Sequence, residues 1–171
     1  MKKNYEMDMC SGPILGKLLT FTIPLIFSGI LQLLFNAADV IVVGRFAGSQ
    51  SLAAVGSPTA LINLMINIFI GLSVGVNVIV ARYYGAKREK DVQDTIHTAM
   101  ALSIVSGLFL IILGQLLSRP MLELMGTPDD VIDKSTIYMR IIFIGMPANM
   151  IYNFGSAILR AVGDTKRPLY F

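Results

Sequence analysis

The sequence predicts an all-α membrane protein with four transmembrane helices. Composition is the first sign: 54% of the 171 residues are hydrophobic and 15% are charged, where an ordinary soluble domain carries about 25% charge. A soluble chain of this length cannot hide so much apolar surface in one core. Length of the apolar runs is the second: four of them reach the roughly 20 residues that span a bilayer core. The third is the placing of Lys and Arg, which fall between those runs and mostly at one end of them.

The first span runs over residues 18–43 and is interrupted by a single charge, Asp39. Residues 1–17 precede it as a cytoplasmic segment. Two lysines before an apolar stretch resemble a signal peptide, but the stretch is too long, contains Pro24 and ends in no small-x-small site. The second span, 57–81, lies within the charge-free run 46–81. The third is 95–117 and the fourth 137–159, with Arg140 near its start. GRFAGSQS joins the first two as a turn. RYYGAKREKD joins the next two, and Gly85 suits a left-handed helix cap. SRPMLELMGTPDD, with Pro120, Gly126 and Pro128, predicts a short interfacial turn. Residues 160–171 form a cytoplasmic loop. Pro168-Leu-Tyr-Phe has the look of a further segment starting, so the chain is expected to be a piece of a longer protein.

The positive-inside rule orients these spans. Lys2, Lys3, Lys17, Arg82, Lys87, Arg88, Lys90, Arg160, Lys166 and Arg167 fall at one end; Arg45, Arg119, Lys134 and Arg140 fall at the other. Both termini are therefore expected in the cytoplasm, which agrees with an even number of crossings. The net charge of +3 reflects these loops, and no basic stripe or motif points to nucleic acid. A single cysteine, Cys10, excludes an internal disulfide and argues against structural zinc. No nucleophile triad, Walker loop, dinucleotide fingerprint or metal cluster is present. The sequence predicts neither an enzyme nor a cofactor, and any pumping would draw on an ion gradient.

Polar residues inside apolar spans are the candidate functional groups. A carboxylate at a helix centre costs about 2.5 kcal/mol or more in hydrocarbon. Asp39 shares a helix face with Gln32 and Asn36, within an arc of about 60° at 100° per residue. Asn63, Asn67 and Asn77 fall within about 80° on the second span, and Asn149, Asn153 and Ser156 repeat the spacing on the fourth. Two uses are open to them. They are interhelical hydrogen-bond glue, worth about 0.6 kcal/mol per contact, or the lining of a shared polar cavity. Pro24, Pro58 and Pro147 mark static bends or hinges. Gly71 and Gly75 form a GxxxG pair suited to close helix packing. His97 is an interfacial histidine or, less simply, a proton relay. The methionines fit packing roles.

Three stretches together carry a resemblance: NAADVIVVGRFAGSQSLAAVGSP, LSVGVNVIVARYYGAKRE and LRAVGDTKRPL. In this order and spacing they resemble the multidrug and toxic compound extrusion (MATE) transporters. The resemblance implies a twelve-helix fold in two six-helix lobes, of which this chain holds four helices of one lobe. It implies export of organic cations or other drugs across the cell membrane in exchange for protons or sodium. Asp39 matches the first-helix aspartate implicated in ion coupling, and Asn36 lies one turn before it, so a sodium ion is a candidate ligand of both. Family residues on helices five to twelve have no counterpart here. The implied partners are the lipid bilayer, a small-molecule drug and the missing C-terminal helices. A lipid-linked sugar flippase of the same superfamily, a small non-transporting membrane subunit and an inactive truncated product are the alternatives.

Overall fold

A computed structural model describes residues 14–46 and 48–170. Cys10, Lys2, Lys3 and most of the predicted N-terminal segment lie outside the described residues. Those described are helical almost throughout: α1 (Ile14–Phe46), α2 (Gly48–Gly85), α3 (Glu89–Leu124), α4 (Asp129–Ile144), α5 (Met146–Ala161) and the short α6 (Arg167–Tyr170). Helices α1, α2 and α3 are each long and apolar enough to cross a membrane. The fourth apolar segment divides at Gly145 into α4 and α5, which meet at a bend of 47°. Pro147, in the first turn of α5, has no N–H to offer the carbonyl four residues back, so the hydrogen-bond ladder opens there.

The helices outrun the predicted spans. The 38 residues of α2 measure about 57 Å at 1.5 Å per residue, against a hydrocarbon core of about 30 Å. Hydropathy registers the apolar middle. The polar ends stay helical because the backbone satisfies itself there. The expected GRFAGSQS turn is thus mostly helix, and Gly48 takes a positive φ of 81° at the start of α2. Helix α3 likewise continues through Pro120 to Leu124, where a turn was predicted.

The same device ends α2, α3 and α5. The N–H of Arg88 donates to the Tyr83 carbonyl and that of Lys87 to Tyr84. Thr127 and Gly126 do the same to Leu122 and Glu123, and Asp164 and Gly163 to Leu159 and Arg160. These are Schellman turns, which need a left-handed residue at their centre. Gly126 and Gly163 supply it at φ 70° and 84°. After α2 the left-handed residue is Lys87, at φ 57°, and Gly85, the expected cap, is the last helical residue.

The core lies among α2, α3, α4 and α5. Val80, Leu110, Leu122, Met139, Phe143, Met150 and Phe154 are its fully enclosed members. Helix α3 buries a stripe of small residues, Ala99, Ser103, Ser106, Gly107, Gly114 and Ser118, and its two glycines meet the broken α4–α5 pair. A methyl added at Gly107 would lie 2.4 Å from the Pro147 Cα, and one at Gly114 would lie 2.1 Å from the Phe143 ring. Among the described residues, nothing lies within 4 Å of the corresponding positions at Gly71 and Gly75. Close packing therefore rests on the α3 glycines and not on the predicted GxxxG pair. Among the described residues, α1 packs against α2 and α6 only, and none of its own is buried.

Candidate functional site

The polar stripe of α1 is open. Gln32, Asn36 and Asp39 are all exposed, and among the described residues no side-chain hydrogen bond or ion pair engages them. Such groups in an apolar helix are aimed at whatever fills the space beside them, since lipid is the costliest neighbour for a carboxylate. Tyr138 of α4 is near enough to feel the Asp39 charge. Asp39 and Asn36 offer a carboxylate and one amide carbonyl to a cation. No group of three or more His, Cys, Asp or Glu capable of holding a metal occurs among the described residues.

On α2, Asn63 and Asn67 are exposed, and the Asn67 amide donates back to the Asn63 carbonyl at 2.7 Å. On α5, the Asn153 amide donates to both the backbone and side-chain oxygens of Asn149, at 2.9 and 2.7 Å. These pairs satisfy themselves within one helix and tie nothing together. Ser156 is buried in the α5 face. Asn77 differs. Its amide crosses from α2 to α5 and donates to the Ala157 carbonyl at 2.7 Å, a bond between helices of the kind predicted for glue.

Asn77 also lines a half-open cleft of about 220 Å³ between α1, α2 and α5, with Phe21, Ile70, Ser73, Val74, Ala157 and Arg160. The other polar candidates are not among its lining residues. Drug-sized ligands occupy roughly 300–1,000 Å³, so this cleft is small for them. Pro24 sits in an unbroken α1 and Pro58 is fully buried in α2. Pro147 alone of the candidate hinges stands at a break.

Sequence reasoning missed two features. Arg160 entered it only as a positive charge, yet it borders the cleft, and its Nε donates to the Ser156 carbonyl at 3.1 Å. Asp164 was overlooked and is wholly buried. Its Oδ1 accepts from the backbone N–H groups of Lys166 and Arg167, each at 3.1 Å. Its Oδ2 lies 3.1 Å from the Arg167 Nε. Tyr152 of α5 reaches the Pro168 carbonyl at 3.1 Å. Together they fasten α6 beneath α5. An Asp placed three residues before the start of a short Arg-Pro helix is a capping signal that could have found it.

At the opposite end, Arg119 of α3 pairs with Glu123 at 3.0 Å and with Asp133 of α4 at 3.1 Å. Lys134 donates to the Gln50 amide oxygen of α2 at 3.1 Å. The connection after α1 and the one after α3 thus share one end of the bundle, while Arg82 to Lys90 belong to the other.

Comparison with known proteins agrees with this architecture. The MatE family model matches residues 24–171. A probable multidrug resistance protein of Bacillus subtilis, YoeA, is 35% identical over 150 residues, covering 88% of this chain and 32% of that protein. An FAD transporter of Shewanella oneidensis is 27% identical over 161 residues, covering 94% of this chain and 35% of its own. Among solved structures, a MOP superfamily transporter of Pyrococcus furiosus with a reversed-polarity binding pocket superposes with a TM-score of 0.84. It shares 27% identity and covers 90% of this chain and 34% of its own. The chain spans about a third of the length of the curated relatives it matches. With the matched region covering most of its length, the chain belongs to the MatE family.

Proposed function

We propose that these helices are part of a secondary active exporter. It moves organic cations or other drugs out of the cell in antiport with protons or sodium. The observation that carries this reading is the exposed stripe of Gln32, Asn36 and Asp39 on an otherwise apolar α1. It lies within a chain that belongs to the MatE family.

Asp39 is the group on which coupling would turn. Binding a proton or a sodium ion cancels its charge, and Asn36, one turn away, adds an amide oxygen for sodium. A coupling ion biases the conformational equilibrium only as far as it prefers one state. One elementary charge crossing 100 mV supplies about 2.3 kcal/mol, enough to sustain a gradient of roughly fiftyfold for an uncharged cargo; a monovalent cation exchanged one for one moves no net charge and draws on the ion's concentration gradient alone. A carboxylate also favours a cationic cargo, which would compete with the ion for the same oxygens. The bend at Gly145 and Pro147 offers a place where packing could alternate. In this reading both termini face the cytoplasm, as the Lys and Arg distribution suggests.

The test is Asp39→Asn in the protein expressed from its own locus, in cells lacking other drug exporters. Expression and membrane insertion should be unchanged, while energised efflux of a fluorescent organic cation should fall to the background of cells in which that locus is deleted. Efflux by the variant at the wild-type rate refutes the role given to Asp39.

A further inference from the structure

We propose that the cleft between α1, α2 and α5 binds an anionic membrane lipid, with its phosphate on Arg160 and an acyl chain along Phe21, Ile70 and Val74. The cleft has one cationic wall and apolar others. Ser73 and Asn77, its neutral polar groups, are engaged with the carbonyls of Ile70 and Ala157. Ser73 has no donor left for a ligand, and Asn77 has one amide N–H. Arg160 spends its Nε on the Ser156 carbonyl, and no carboxylate pairs with it among the described residues. Its two terminal nitrogens therefore keep their donors for a guest. A planar guanidinium presents such donors as a fork that fits phosphate oxygens.

Depth selects the guest. Asn77 is eight residues from the end of α2 at Gly85, or about 12 Å along the axis. The charge-free run of α2 ends at Ala81, four residues or about 6 Å beyond Asn77. The cleft therefore lies where acyl chains meet headgroups. A basic recess between helices at this level is the kind of site that takes lipid phosphates. It stands at the end that carries Arg82, Lys87, Arg88 and Lys90, which is the cytoplasmic leaflet in the orientation proposed above. An arginine serving only to cap the last turn of α5 would need no apolar cleft beside it.

The test uses the purified, delipidated chain in detergent, with binding read by native mass spectrometry, which is independent of transport. Three probes are titrated: dioleoylphosphatidylglycerol, dioleoylglycerol with the chains alone, and inorganic phosphate. The phospholipid should bind at least tenfold tighter than either part. Arg160→Gln should weaken it about tenfold, the worth of a charged hydrogen bond to phosphate. Val74→Trp, at a residue 56% exposed, fills the cleft without disturbing the core and should weaken the phospholipid similarly. If Arg160→Gln does not fold, Val74→Trp decides. Equal binding of dioleoylglycerol, equal binding of free phosphate, or undiminished phospholipid binding by Val74→Trp would each overturn the proposal.

Discussion

Gly107→Ala tests the packing on which the broken helix depends. The new methyl would stand 2.4 Å from the Pro147 Cα and 3.0 Å from its N and Cβ. Carbon atoms in good contact are about 3.5–4.0 Å apart, so α3 and α5 must separate by more than about 1 Å. The obstacle is proline backbone in the first turn of α5 and cannot rotate aside. Over-packing of this kind costs about 1–3 kcal/mol, which raises the unfolding equilibrium constant by a factor of roughly 5 to 150. Reversible unfolding in mixed micelles, followed by far-ultraviolet circular dichroism, measures it. Gly71→Ala is the control, because nothing lies within 4 Å of its added methyl. There the better helix propensity of alanine should leave stability unchanged or raise it by up to about 1 kcal/mol. If the two variants behave alike, the close approach of α3 and α5 at Pro147 is refuted.

Asn77→Ala removes the bond to the Ala157 carbonyl and should cost about 0.6 kcal/mol, at most about 1.7, in the same unfolding measurement. Asp164→Ala strips two backbone N–H groups of their acceptor and Arg167 of its ion partner. Destabilisation of about 1–3 kcal/mol is expected, and limited trypsinolysis should cut after Lys166 several-fold faster, the bond after Arg167 being shielded by Pro168. Lys87→Gly relieves a side chain held at φ 57°. It should raise stability by about 0.5–1 kcal/mol, visible as a higher midpoint in thermal unfolding.

The apolar spans were legible because hydropathy over some twenty residues is a bulk property that no neighbour can overrule. The ends of the helices were not. Residues 48–56 and 118–124 lack the apolar pattern, and only the continuing backbone ladder makes them helical. Gly71–Gly75 and Gly107–Gly114 look equally suited to packing on a helix drawn alone. Which pair meets another helix depends on tertiary neighbours, and only the second does. The stripe holding Asp39 was readable because one charge in an apolar run admits few explanations. Asn63–Asn67 and Asn149–Asn153 were less so, since an amide four residues from another can turn back on its own helix. The division of the fourth span was half visible in Pro147, but the 47° bend also needs Gly145 and the recess at Gly107. Asp164 escaped notice because its acceptors' work is local and lies beyond the last apolar run.

The two α3 glycines stand seven residues apart, one beneath Pro147 and the other beneath Phe143. A slide of α5 along α3 by one turn, about 5.4 Å, would bring Ser103 or Leu110 toward Pro147, and both carry a Cβ. The seat therefore works as a keyway: axial travel is blocked in both directions, while rotation about the glycine notch keeps each key in its slot. Whatever motion the α4–α5 pair makes against α3 must be a tilt and not a stroke.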